Sequence, residues 1–245
     1  MKISRKAIHT IIIMCVIVIV AVSVTIIMQK YEIEGEKNMP FEISKIMIFS
    51  TAEGYANENS KYKWDFDVFQ NNDIYINIAK NNDYKKTEII DKITLDNFSI
   101  NEKPQKGEIV IYKPNSESTS SYSCEEQYEV KDSLQYIGET TTDLKKMQIA
   151  NQGGMIIFRV SNKKLNTYQS NDDETITHDG TLLAKANIKN EEIKSKISFD
   201  ITIELKSEKK YKGTITIELP VGNIVQKGQE SIEITNFDDV IFKRI

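Results

Sequence analysis

The side chains suited to covalent chemistry are few and widely spaced. Beyond residue 28 the chain has one cysteine, Cys124, one histidine, His178, and two arginines, Arg159 and Arg244. A thiolate nucleophile, an imidazole base and a guanidinium that stabilises an oxyanion are the parts of a cysteine hydrolase or transpeptidase. Two glutamates directly follow Cys124, and their negative charge disfavours the thiolate. We therefore expect an unreactive thiol and predict no catalytic residue.

Metal-binding side chains concentrate in one short stretch, where Asp172, Asp173 and Glu174 are followed by His178. Oxygen-rich loops of this kind hold calcium, but the spacing of an EF-hand loop is absent. The sequence favours a solvated acidic loop over a cation site and leaves the choice between them open. It also has no Gly-x-Ser-x-Gly elbow and no phosphate-binding glycine loop, so we predict neither a cofactor nor a metal.

The longest apolar stretch, Ala7 to Met28, contains 22 residues and no charge. A helix of that length spans about 33 Å, enough for the ~30 Å core of a bilayer. Basic residues precede it, so the sequence predicts a cytoplasmic tail at 1–6, a transmembrane signal-anchor at 7–28 and an extracellular remainder at the plasma membrane. Ala21 to Ser23 loosely resembles a cleavage site, which leaves cleavage of the anchor as the alternative.

The charge balance of the remaining chain bears on its partners. Removing Lys2, Arg5 and Lys6 leaves 29 basic residues against 36 acidic ones. Such a chain lacks the basic surface that releases counterions from phosphates, so we predict no nucleic-acid partner. With only Cys124 outside the anchor, this region cannot form an internal disulfide and must fold by burial alone.

Beyond a predicted stalk at 29–38, residues 39–245 alternate apolar and polar side chains. The clearest alternation runs from Ile197 to Leu219, as in antiparallel strands with one buried face. A hairpin turn is predicted at Gln70–Asp73, and a polar loop at 53–60. A one-residue slip in the alternation at Ser44–Lys45 predicts a strand with a bulge. About ten or more short strands are predicted, at roughly ten-residue spacing. The fold class predicted is all-β: a single transmembrane helix followed by an immunoglobulin-like β-sandwich ectodomain. It is one large sandwich, or two small ones at 39–113 and 128–245 around a Ser-rich stretch.

Three stretches carry a family likeness: Asn38 to Phe41, Gln70 to Tyr75, and Ser198 onward to Arg244. On these the chain resembles clostridial-type, low-GC Gram-positive single-pass membrane proteins with a β-rich extracellular domain. The resemblance implies a bacterial envelope location and no particular activity. An anchor followed by a β-domain also looks like a sortase. The family order is His, Cys, Arg, whereas here Cys124 precedes both Arg159 and His178.

The function predicted is therefore a non-catalytic, membrane-anchored binding or scaffolding protein of the cell envelope. Its partner would be an envelope protein or a wall polymer, bound through loops or an exposed strand edge. The alternative is a sortase-like cysteine hydrolase or transpeptidase that uses Cys124 and His178. A transmembrane sensor is a third hypothesis.

Overall fold

The computed structural model describes residues 5–35, 38–60, 63–114, 126–141, 143–145, 147–170 and 180–245. The helices are α1 (Arg5–Glu34), α2 (Leu182–Lys185), α3 (Asn190–Ile193) and α4 (Ile224–Lys227), with a 3₁₀ turn at Glu126–Tyr128. The strands are β1 (Phe41–Ser60), β2 (Lys63–Lys80), β3 (Ile90–Glu102), β4 (Glu108–Tyr112), β5 (Leu134–Glu139), β6 (Gln148–Ala150), β7 (Gly154–Gln169), β8 (Lys196–Leu205), β9 (Lys210–Glu218), β10 (Gln229–Ile234) and β11 (Lys243–Arg244).

The apolar N-terminal segment forms helix α1. Within the part of the chain that the structure describes, no helix has both the length and the apolarity needed to cross a membrane. The predicted transmembrane anchor at 7–28 is therefore wrong. The predicted plasma-membrane location, with residues 29–245 outside, is wrong with it.

The stalk predicted at 29–38 also differs from the structure. Helix α1 continues to Glu34, and Gly35 is buried against the C-terminal segment. A Cβ added at Gly35 would lie 2.6 Å from the carbonyl oxygen of Phe242. Met39 is buried in the core, and its carbonyl accepts a hydrogen bond from Asn81. Gly35 and Met39 are therefore both packed against the β-structure, where a stalk would be held away from it.

The strands form two sheets. Sheet A has the order β10-β1-β2-β7-β4, and sheet B has the order β11-β9-β8-β3-β5-β6. All neighbours are antiparallel except β5 and β6. The β-rich prediction is confirmed. Because β2 pairs with β7 and β3 pairs with β8, strands from before and after the Ser-rich stretch share both sheets, and the chain does not divide into 39–113 and 128–245.

The strands of sheet A depart most from the immunoglobulin-like expectation. That expectation rested on short strands at roughly ten-residue spacing, but β1 has 20 residues, β2 has 18 and β7 has 16. The predicted loop at 53–60 belongs to β1, and the predicted turn at Gln70–Asp73 lies inside β2. Gln70, Asn71 and Asn72 are almost fully buried there. Buried hydrogen bonds keep these polar residues in an extended strand that their local turn preference opposes.

Two apolar cores lie along sheet A. The main core packs the inner faces of both sheets together, with Ile46, Ile74 and Phe158 facing Phe199 and Ile203. The second core lies towards the β1–β2 hairpin, where Phe66, Val68 and Leu165 pack against Leu183 of α2 and Ile224 of α4.

A polar layer of Ser50, Gln70 and Asn72 separates the two cores. Ser50 Oγ and Gln70 Nε2 both donate to Asn72 Oδ1, and Asn72 Nδ2 donates to the Val160 carbonyl at 3.0 Å. All three residues are almost fully buried. Since buried polar groups are stable only when they are hydrogen-bonded, this layer fixes how β1, β2 and β7 meet.

Candidate binding groove between β3 and β4

The residues that the sequence singled out for chemistry are mostly not described. Cys124, His178, Asp172, Asp173 and Glu174 lie outside the described residues. In the rest of the chain, no group of three or more His, Cys, Asp or Glu side chains is placed to hold a metal ion.

The two arginines are described and lie apart in the fold. Arg159 is in β7 of sheet A, whereas Arg244 is exposed in β11 at the edge of sheet B. Arg159 Nε donates to Asp73 Oδ1 at 2.6 Å, and its Nη2 donates to Asp73 Oδ2 at 2.9 Å. A bidentate, largely buried pair of this kind joins β2 to β7. Its geometry is that of a cross-strand structural contact.

A Ser-Lys-Glu cluster at the β8–β9 turn was not predicted. Lys209 Nζ donates to Glu88 Oε1 at 2.5 Å, and Ser207 Oγ donates to Glu88 Oε2 at 2.7 Å. These bonds lower the pKa of Glu88, and the bond to Glu88 raises the pKa of Lys209. A lysine that acts as a general base at neutral pH needs a lowered pKa, so Lys209 is not placed to activate Ser207. The hydrogen bonds of this cluster instead hold the β8–β9 turn against Glu88.

A groove with a volume of about 650 Å³ opens between β3 and β4. One wall is formed by Asn97–Ile100 of β3 and the other by Glu108–Ile111 of β4, and residues 129–132 complete the lining. The two walls belong to different sheets. The groove therefore lies where sheets A and B diverge.

The floor of the groove is apolar and continuous with the main core. Phe98, Ile109, Ile111 and Val130 all line the groove, and each is a partly buried side chain packed against that core. Here its apolar side chains reach the surface, so an occupant of the groove would bury them.

A β-bulge in β3 directs Phe98 into this floor. Asp96 pairs with Asp200 and Ser99 with Ser198, so the register with β8 shifts between them. Asn97 takes up the shift with φ 52°, in the left-handed region that asparagine tolerates. The Phe98 ring then packs 5.7 Å from Phe158 of sheet A.

The sequence signal for this bulge is a slip in the alternation. Apolar residues fall at odd positions, Ile93 and Leu95, and then at even positions, Phe98 and Ile100. The same kind of slip at Ser44–Lys45 predicted the bulge between Ile43 and Lys45 in β1, and that prediction is confirmed.

Strand β4 is an edge strand of sheet A and presents backbone groups to the groove. Val130 N–H donates to the Ile111 carbonyl at 2.8 Å, and Lys113 N–H donates to the Tyr128 carbonyl at 3.0 Å. Residues 111 and 113 thus point away from β7, and strand alternation directs the Ile109 backbone the same way. Among the described residues, no strand pairs with β4 on that side at Ile109.

The rim of the groove carries both signs of charge, with an acidic excess. The lining includes Glu108, Glu129, Asp132 and one lysine, Lys131. Lys164 pairs with Glu108 from outside the groove, which leaves Glu129 and Asp132 against Lys131. A hydrogen bond from Lys164 lowers the pKa of Glu108, so this carboxylate is ionised at neutral pH. The rim therefore favours a ligand with a basic side chain beside its apolar ones.

Comparison with protein-family models, with curated proteins and with solved structures found no match to this chain. The resemblance to clostridial-type membrane proteins accordingly stays a prediction. The candidate site rests on the geometry of the groove alone.

Proposed function

We propose that this chain is a non-catalytic binding protein that takes up an extended segment of a partner protein in the β3–β4 groove. The observation that carries the proposal is the combination of an exposed apolar floor with an open strand edge. An extended segment added beside β4 would use the outward backbone groups of Ile109. Its alternate side chains would cover Phe98 and Ile111.

The dimensions and charges of the groove also indicate which side chains the bound segment would carry. The four residues of β4 in its wall, Glu108–Ile111, correspond to about 13 Å of strand. This length fits a short segment with apolar residues at alternate positions. The acidic excess at the rim favours a lysine or arginine between them.

Photo-crosslinking in cells tests the proposal on the full chain. A benzoylphenylalanine placed at Asp132, on the exposed rim, should capture a partner on irradiation. Placed at Thr216, exposed on the outer face of β9, it should not. The captured segment is then identified by mass spectrometry and resynthesised for a binding titration.

An Ile109→Pro variant tests the mode of binding. Proline removes an N–H that points away from β7, and edge strands tolerate proline at such positions. The variant should stay folded, and the Asp132 crosslink should fall at least tenfold. Ile109→Val keeps the N–H and serves as the matched control. Equal capture from Asp132 and Thr216, or full capture in a folded Ile109→Pro variant, would overturn the proposal.

A further inference from the structure

A second pocket, separate from the groove, lies between β1, β2 and β7 of sheet A and has a volume of about 540 Å³. It is lined by Tyr55 of β1, by Asp67, Val68 and Phe69 of β2, and by residues 163–167 of β7. Of the residues that the structure describes, none lines both openings. The volume lies within the range of small-molecule sites.

An aromatic platform forms one side of this pocket. Tyr55 is 54% exposed, whereas Phe69 is 5% exposed. The two rings are stacked with centroids 4.9 Å apart and an angle of 27° between their planes. Because the buried ring holds the exposed one, Tyr55 presents a flat apolar surface in a fixed orientation.

A bulge in β7 builds the opposite side. Val68 pairs with Asn166 and Gln70 pairs with Asn162, so three residues of β7 stand opposite Phe69 alone. Lys164 takes the left-handed conformation, with φ 57°, at the centre of this bulge. The extra residues lift the strand away from β2 and leave the space that the pocket occupies.

The polar groups of the lining are oriented by their own contacts. Thr167 Oγ1 donates to Asp67 Oδ1 at 3.0 Å, and Asn166 Nδ2 donates to the Ala186 carbonyl at 2.8 Å. Both lysines of the lining have partners as well. Lys164 pairs with Glu108, and Lys163 Nζ donates to the Tyr112 hydroxyl. With Lys164 neutralised by Glu108, the lining holds one further positive charge, Lys163, and one negative charge, Asp67, so neither sign is in excess.

We infer that this pocket binds a neutral oligosaccharide. A pyranose ring has an apolar C–H face that matches the Tyr55 ring and hydroxyls around its edge that match Asp67 and Thr167, both exposed. An anionic sugar would have to compete with Glu108 for Lys164. The inference stands on its own residues and does not depend on what the β3–β4 groove binds.

Calorimetric titration of the full chain tests this, with a panel of neutral tetrasaccharides built from glucose, mannose, galactose or N-acetylglucosamine. At least one should bind. Tyr55→Ala should weaken that binding at least tenfold, whereas Tyr55→Phe, which keeps the ring, should change it less than threefold. Phe49→Ala is the matched control, because Phe49 is 46% exposed on the same strand and lies outside the pocket.

Three outcomes would overturn the inference. The first is that none of the tetrasaccharides binds at millimolar concentration. The second is that Tyr55→Ala binds as well as the unmodified chain, and the third is that Phe49→Ala weakens binding as much as Tyr55→Ala does. Circular dichroism of each variant confirms that the fold is retained. Thr167→Val should give an intermediate loss, since it removes one hydrogen-bonding hydroxyl and keeps the shape.

Discussion

Replacement of Asn72 by alanine tests whether the polar layer holds β1, β2 and β7 together. The Asn72 side chain is fully buried and makes three hydrogen bonds, to Ser50, to Gln70 and to the Val160 carbonyl. Gln70 keeps a second acceptor, the Pro220 carbonyl at 3.0 Å.

The size of the effect follows from these bonds. A net contribution of about 1 kcal/mol for each bond gives a loss of about 3 kcal/mol in the free energy of unfolding. For a domain of this size, that corresponds to a melting temperature lower by about 6–12 °C. The apolar contacts of both cores are untouched by the change, so the denaturant dependence should keep its slope.

Urea denaturation followed by far-UV circular dichroism measures the loss. Asn77→Ala is the matched control: Asn77 lies on the same strand but faces outward, half-buried, where its Nδ2 donates to Ser44 Oγ at 2.6 Å. We expect this control to lose about 1 kcal/mol or less. A loss below about 1 kcal/mol for Asn72→Ala, or equal losses in the two variants, would refute the structural role of the layer.

Two further predictions concern sheet B. Gly138→Ala should lower the free energy of unfolding, measured by urea denaturation, by about 1–3 kcal/mol, because the added Cβ would lie 2.1 Å from the backbone oxygen of Ile90. Gly213→Ala is the control and should lower it less, because the Cβ added there meets only a side chain. A larger loss for Gly213→Ala than for Gly138→Ala would contradict this prediction. A hydrogen bond from Lys209 lowers the pKa of Glu88 in the folded chain. The ionised Glu88 therefore stabilises the fold above the unfolded pKa of about 4.3, and this stabilisation is lost as the pH falls through the lower folded pKa. In Glu88→Gln, stability measured from pH 6 to 3 should fall less than in the unmodified chain, and parallel curves would count against it.

The sequence by itself determined the local structure wherever one face of a strand is apolar and the other polar. The alternation from Ile197 to Leu219 predicted the hairpin of β8 and β9, and the structure confirms it. The alternation slip at Ser44–Lys45 predicted a real bulge. In these places the side-chain pattern and the backbone geometry have the same period, so the pattern can be read without a partner strand.

Only the tertiary structure decided what each face meets. Gln70 to Asp73 has the composition of a turn, yet it runs through the middle of β2 because Ser50 and Val160 supply hydrogen-bond partners from other strands. The groove depends in the same way on β3 and β4 joining different sheets, although they are neighbours in the chain. Composition and periodicity do not specify which distant residue lies opposite a given strand position. The pairing of strands that are distant in the chain produced both the polar layer and the groove.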